Sequence, residues 1–583
     1  MGGDCTDSTI RVLKLTIPMS DSRALRKVLT AFAALAVFGP GVAVAQLVIP
    51  PSAEPRLPGA PIRVPEVELD LTIPAQPRAP DRRAVDELRF SIERIVVEGA
   101  TAYDAQTLAR FTQPLIGQSA GLSSISGVAE AIEDRYRADG YVLTRVFVPP
   151  QRVGDGTFRI QVVEGYLDDI IFDGGSPGVQ ARIAAYLRRA LEGRPAKLRD
   201  LERGLLLAGD LAGVDAAGTL APGQVPGSSN LSIRIQERPV QASVTIANRG
   251  SKFQGPVTIA NEVNFNGLLD QTEQITLGFT TIPTYRDSRE MRQGSFRYSQ
   301  PLWGDGLTVG WDTTYSAGWL GHTLRATAVH TEALRYGPRA SYPIIRSRRE
   351  NLSVDVSAFV SRTFTFATVS DAYQVQTDEK YLAYDIRSTY TQVGFWQGAT
   401  ILTGGMTRGF SALDGTEGAA AGLSRNDAQA NFTKFSGELR RIQILPENFS
   451  LQWVGAGQFS KSKLYANEEF SLGGSRFGRG YDPSEITGRQ ALAMSADLRY
   501  GDLNAMGWQP YTFYDHGRVW SGTGIRGSLS QWQTLTSAGV GARFAPLSWL
   551  SAGLEAAQPL TRAPGLAEGR KPTRYYFDVT ARF

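Results

Sequence analysis

Residues 575–583 read Tyr-Tyr-Phe-Asp-Val-Thr-Ala-Arg-Phe. Tyr575, Phe577, Val579, Ala581 and Phe583 share one parity, and Tyr576, Asp578, Thr580 and Arg582 share the other. Strand side chains alternate with period two, so one face suits lipid and the other suits water. The same alternation recurs upstream. Phe449, Leu451 and Trp453 oppose Ser450 and Gln452, and Leu382, Tyr384 and Ile386 oppose Ala383, Asp385 and Arg387. From about residue 239 to 583, roughly sixteen such segments follow one another with turn residues between them. A soluble sandwich would have to pair two large sheets. Closure into a barrel removes every edge and tolerates a polar interior. The expected fold class is therefore α+β periplasmic domains followed by an all-β transmembrane barrel of about sixteen antiparallel strands, with the barrel over 239–583.

Composition agrees. The 583 residues include 61 Gly and 31 Pro, are 42% hydrophobic and have a mean hydropathy of −0.18. In the body of the chain no apolar run approaches the length of a membrane-spanning helix. The net charge is +4, with no Lys/Arg-rich run of the kind that neutralises a phosphate backbone, so nucleic acid is not an expected partner. Cys5 is the one cysteine, which excludes disulfide scaffolds and cysteine zinc sites.

At the start of the chain, Arg23, Arg26 and Lys27 precede an apolar stretch from Val28 to Phe38, and Ala43-Val44-Ala45 supplies a small-x-small cleavage pattern. Residues 1–45 are expected to be a secretory signal peptide, with Met19 as an alternative start. Residues 46–87 are proline-rich, with nine prolines between 50 and 80, and are read as a linker too rich in proline for a long helix.

Residues 88–165 carry strand, helix, helix, strand, strand signals: Phe90–Glu98, Ala105–Phe111, Ser124–Ala138, Tyr141–Val148 and Thr157–Val163. Ser123 or Ser124 is the expected cap of the second helix. The same order returns over 166–238, an internal duplication of about 75 residues. Gly140-Tyr141, Pro149-Pro150-Gln151 and Val162-Val163-Glu164-Gly165-Tyr166 resemble the first polypeptide-transport-associated (POTRA) domain of two-partner secretion transporters. Asp210-Leu211-Ala212-Gly213-Val214 and Leu220-Ala221-Pro222-Gly223 resemble their second. Gly140, Tyr141, Glu164 and Gly165 are the turn residues of this resemblance.

A long loop from about Lys463 to Arg489, between the eleventh and twelfth strands, contains Gly478-Arg479-Gly480-Tyr481. It resembles the sixth-loop motif Val-Arg-Gly-Tyr of the Omp85 superfamily, with Gly478 in place of the valine. The thirteenth strand holds Phe513-Tyr514-Asp515, similar to that family's Phe-x-Asp strand motif, and Phe513 and Asp515 share a face. The resemblance implies that the loop folds back into the barrel and that Arg479 pairs with Asp515. Tyr575, Phe577, Val579 and the terminal Phe583 would serve as the C-terminal signal for barrel assembly.

Taken together, these resemblances place the chain with transporters of the haemolysin secretion and activation type, in the bacterial outer membrane with POTRA domains in the periplasm. The implied partners are an unfolded secreted exoprotein with an N-terminal two-partner-secretion domain, the barrel assembly machinery during insertion, and outer-membrane lipid. The transporter would act as a monomer. A barrel assembly factor and a passive pore without a protein client are the alternatives. His322, His330 and His516 are the three histidines, no phosphate-binding loop is present, and Gly473 to Phe477 lacks the last glycine of a nucleophile elbow. No enzyme activity, metal or other cofactor is expected.

Overall fold

The computed structural model describes residues 89–269, 272–283, 290–369, 372–411, 422–425, 428–520, 532–562 and 571–583. The signal and proline-rich segments expected over 1–45 and 46–87 lie outside them.

The first module contains β1 (Arg89–Ser91), β2 (Arg94–Glu98), α1 (Ala105–Thr112), β3 (Ser119–Gly121), α2 (Leu122–Ala138), β4 (Arg145–Phe147) and β5 (Thr157–Val163). Asp104 caps α1 by accepting from Thr107 N at 2.8 Å. Ile125, Ile132 and Tyr136 of α2 are buried against Phe158 and Ile160 of β5. Each such apolar side chain contributes roughly 1.5–3 kcal/mol by leaving water.

Three local expectations are corrected. The strand expected over 90–98 breaks at Ile92 and Glu93, because β1 pairs with β3 while β2 pairs with β5. The strand expected over 141–148 shrinks to β4, since Thr144 N bonds to Tyr141 O in a turn and the Tyr141 ring joins Tyr103 and Tyr136. Neither Ser123 nor Ser124 caps α2, which starts at Leu122 after Gly121 with no side-chain cap.

The second module repeats the topology with β6 (Tyr166–Asp173), α3 (Pro177–Glu192), α4 (Leu198–Gly209), β7 (Val214–Pro222) and β8 (Ser228–Glu237). Pro177 opens α3, where its missing N–H costs nothing. In each module the last strand is central. It is parallel to β2 or β6 and antiparallel to β4 or β7, giving the orders β2-β5-β4 and β6-β8-β7.

Sixteen strands then close into an antiparallel barrel. They are β9 (Val240–Ala247), β10 (Thr258–Asn266), β11 (Gln274–Ile282), β12 (Met291–Pro301), β13 (Thr308–Trp319), β14 (His330–Arg346), β15 (Glu350–Val369), β16 (Ala372–Val393), β17 (Gly398–Phe410), β18 (Thr433–Ile444) and β19 (Phe449–Phe459), followed, after a hairpin, by β22 (Gln490–Tyr500), β23 (Trp508–Trp520), β24 (Trp532–Leu547), β25 (Leu550–Pro559) and β26 (Arg574–Arg582). The hairpin is formed by β20 (Phe470–Leu472) and β21 (Ile486–Gly488) inside the long loop.

The alternation predicted for the last strand holds. Tyr575, Val579 and Phe583 are exposed on the outer surface. Across the wall, Tyr576 packs inward beside Tyr511 and Phe513. The barrel closes where β26 meets β9 over Asp578–Arg582. Phe583 continues the seam by exchanging backbone hydrogen bonds with Ala242 at 3.0 and 2.8 Å. Above it, the Asn248 side chain stands in for a strand by donating to Tyr575 O and accepting from Phe577 N.

The second module is fastened to the turn between β12 and β13 and to the end of β14. Arg346 donates to both carboxylate oxygens of Asp210, at 2.8 and 2.7 Å. Arg203 donates to Asp305 O and Pro343 O, and Arg182 donates to Trp303 O. The two modules are joined by backbone bonds from Leu198 N to Gly140 O and from Ala196 N to Gly165 O, and Lys197 Nζ lies over the Tyr141 ring at 5.2 Å.

Candidate functional site

The long loop leaves β19, returns through β20 and β21 and enters β22. Its turn carries the sequence-predicted motif into the barrel. Gly478 adopts φ +83°. A β-branched valine pays heavily for that left-handed backbone, which accounts for glycine at the position where the resembled motif has valine. At Gly480 an added Cβ would sit 2.8 Å from Pro559 N, so the loop backbone lies directly on β25.

Arg479 and Asp515 are brought together. Arg479 Nε and Nη2 donate to Asp515 Oδ2 and Oδ1 at 3.0 and 2.7 Å, and the Arg479 peptide N–H adds a third bond to Oδ2 at 3.0 Å. The guanidinium lies 3.6 Å above the Phe513 ring centroid, so both residues of the strand motif contact the loop arginine. Asp515 is 0% exposed and also accepts from Ser495 and Ser537.

Three partners were missed in the sequence: Ser495 and Asp497 on β22 accept from Arg479 Nη2 at 3.0 and 2.8 Å, and Glu555 on β25 lies 3.5 Å from Nη1. A signal existed, because Ser495 and Asp497 share parity with Ala491 and Ala493, the inward face of β22, and Ser495 is in register with Asp515. Around the loop arginine, Arg499 and Arg543 pair with Asp497, while Arg249 pairs with Glu555 and Asp578. Four guanidinium groups thus face four carboxylates. Burying so many charges is costly, and mutual pairing is what makes it tolerable.

Tyr481 also reaches the wall. Its hydroxyl lies 2.8 Å from Thr536 O and Thr561 O, and it accepts from Thr561 N at 3.0 Å. Arg476, earlier in the turn, pairs with Glu438 on β18. The loop is therefore held by β18, β22, β23, β24, β25 and the segment after β25.

The turn residues of the first module have structural partners. Glu164 accepts from Thr101 N, Ala102 N and Tyr136 Oη at 2.7, 2.8 and 2.7 Å, and from the Thr101 hydroxyl. Burial alone would raise its pKa, but these hydrogen bonds outweigh burial and hold it below the usual glutamate value. Gly140, Tyr141 and Gly165 lie at the junction between modules described above. Among the described residues no group of three or more His, Cys, Asp or Glu side chains is placed to hold a metal ion.

A closed sixteen-strand barrel with an apolar outer face, a charged interior occupied by its own loop, and paired αβ modules docked at one rim defines an outer-membrane barrel transporter of the POTRA type. Residues 227–544 match the family model of the haemolysin secretion/activation proteins ShlB/FhaC/HecB, and residues 90–165 match the ShlB-type POTRA domain. The chain belongs to the ShlB/FhaC/HecB family.

Among relatives, it is 24% identical over 422 residues to the heme/hemopexin transporter protein HuxB of Haemophilus influenzae, covering 70% of this chain and 71% of that one. It is 25% identical over 426 residues to the outer membrane transporter CdiB of Escherichia coli, covering 70% and 69%. The solved structure of CdiB from Escherichia coli superimposes with a TM-score of 0.67 at 20% identity, over 87% of this chain and 93% of that one. The protein is an outer-membrane transporter of the two-partner secretion type, with its POTRA region on the periplasmic side.

Proposed function

We propose that this transporter captures one dedicated exoprotein, bearing an N-terminal two-partner-secretion domain, as an unfolded chain in the periplasm and passes it through the barrel to the cell surface. The observation that carries this reading is the loop arginine paired with Asp515 inside a barrel whose periplasmic rim is bolted to the second POTRA module. That arrangement joins a receiving domain to a lumen closed by a loop with defined polar anchors.

Client capture would use strand edges. β4 and β6 are outer strands of their sheets and expose Phe147 and Ile171. An extended client adding beside such an edge gains main-chain hydrogen bonds that do not depend on its sequence, with apolar side chains supplying the bias. In this reading no catalytic step and no cofactor are required, and the barrel acts as a monomer once the assembly machinery has inserted it. Arg479, Tyr481 and Asp515 position the loop, and Tyr575, Phe577, Val579 and Phe583 are read by the assembly machinery.

The test is quantitative proteomics of culture supernatant, cell surface and outer membrane, with and without the gene, complemented by wild type or Arg479→Ala. Loss of one or two large exoproteins, restored by wild type and not by the variant, is expected. Broad depletion of barrel proteins would replace this reading with an assembly factor, and an unchanged secretome would replace it with a passive pore.

A further inference from the structure

The long loop is held at a second point, by residues other than the partners of Arg479. Its first half, before β20, lies against the inner wall of β15, β16 and β18 together with the segment that precedes β18. Tyr465 of the loop stacks on Tyr381 of β16, with ring centroids 4.8 Å apart and planes 11° from parallel. Phe432 packs edge-on against both rings, and all three side chains are fully buried. Glu468 accepts from the Tyr381 hydroxyl at 2.6 Å and pairs with Lys434 Nζ at 2.6 Å. The segment before β18 is drawn into the same cluster: Ser424 N donates to Glu379 at 2.7 Å, and Arg425 donates to Glu469 at 2.7 Å.

We infer that Tyr381, Lys434, Tyr465 and Glu468 form a latch that closes the extracellular mouth on the β15–β18 side. It opens to let the exported chain out while Arg479 stays on Asp515. The inference deepens the export reading and rests on it.

The two anchors differ in what opening would leave behind. Withdrawing Arg479 strands Asp515, which is 0% exposed and whose other partners are the hydroxyls of Ser495 and Ser537, deep in the barrel wall, where unpaired charge is least tolerated. Lys434 is the second residue of β18, at the mouth, with 17% of its side chain already exposed, and the buried Glu468 rides on the loop itself, so parting them carries the pair towards water. Elements that move in a working cycle are those whose opening is least costly. The latch residues also come from three separate segments, so it can part without unravelling any strand.

The experiment uses the full chain in a Cys5→Ser background with two cysteine pairs, Tyr381→Cys/Tyr465→Cys across the latch and Leu472→Cys/Gly517→Cys holding the base of the loop tip to β23. Each is bridged by a short reversible thiol cross-linker. Heat-modifiable mobility verifies insertion of both. Bridging the latch is expected to lower export of the partner exoprotein at least tenfold, reversed by reduction, whereas bridging the tip leaves at least half. Equal export through bridged and reduced latch, or a block from the tip bridge alone, overturns the inference.

Planar-bilayer conductance gives a readout without a client. Reducing the bridged latch should raise the open fraction several-fold, and Glu468→Gln, which keeps the side-chain shape but removes the ion pair with Lys434, should open more often than wild type. No change in either conductance measurement overturns the latch. If wild type itself exports no partner, the export reading fails separately and the conductance result still decides whether the latch exists.

Discussion

Arg574 holds Asp482 by two hydrogen bonds, Nη1 to Oδ1 at 2.8 Å and Nη2 to Oδ2 at 3.2 Å. Asp482 directly follows the loop motif, and Arg574 is the first residue of the strand that closes the barrel. The loop is therefore tied to the wall β22–β25 through Arg479 and to the closing strand through Asp482. Lys252, on the far side of the seam, approaches the same carboxylate at 3.7 Å.

Arg479→Ala and Asp515→Ala should each reduce export strongly while the barrel still inserts. Removing one partner of a buried, hydrogen-bonded pair costs about 3–5 kcal/mol locally, because the remaining charge keeps its desolvation cost. Export assayed beside heat-modifiable mobility checks this, and wild-type export by both variants would remove the pair from the mechanism.

Asp482→Ala and Arg574→Ala should be less damaging singly than either change at the Arg479 pair, and nearly non-additive together. Residues in one ion-pair network show coupling of about 0.5–3 kcal/mol. Proteolytic nicking of the 463–489 loop in intact cells, compared across the two single variants and the double, measures that coupling.

Phe577→Arg places a charge on the outer face of the last strand. At bilayer midplane it should cost about 2–4 kcal/mol, with less cost towards an interface. A lowered denaturant midpoint in detergent or liposomes is expected, with Thr580→Arg, on the inner parity, as the contrasting change.

Glu164 makes the first module's stability depend on pH. Its folded pKa lies below the ordinary glutamate value, so the unfolded chain binds more protons in the window between the two. Its contribution is fully present above the unfolded value and is lost as pH falls through the folded one. Hydrogen-exchange protection of the Thr101 and Ala102 amides should drop over that acidic window in wild type, and Glu164→Gln should show a flatter profile.

What the sequence determined by itself was periodic or local. Parity along β26 separated Tyr575 and Phe577 from Asp578, because lipid and water on opposite sides of one strand impose a period of two. The duplicated strand and helix order over 88–238 follows from amphipathic spacing, and the loop and strand motifs pointed to Arg479 and Asp515 through their likeness to known proteins.

Only the tertiary structure decided which carboxylates share that arginine. Asp497 and Glu555 are separated by 58 positions, and they meet because barrel closure and stagger bring β22 and β25 to the same depth around the loop. The latch is a stronger case, since Tyr381, Lys434 and Glu468 are spread over 88 positions and no spacing between them has meaning until the loop folds inward. The split at Ile92 has the same origin: β1 and β2 take different partner strands, and a local pattern of β-branched residues contains no information about which partner each will find.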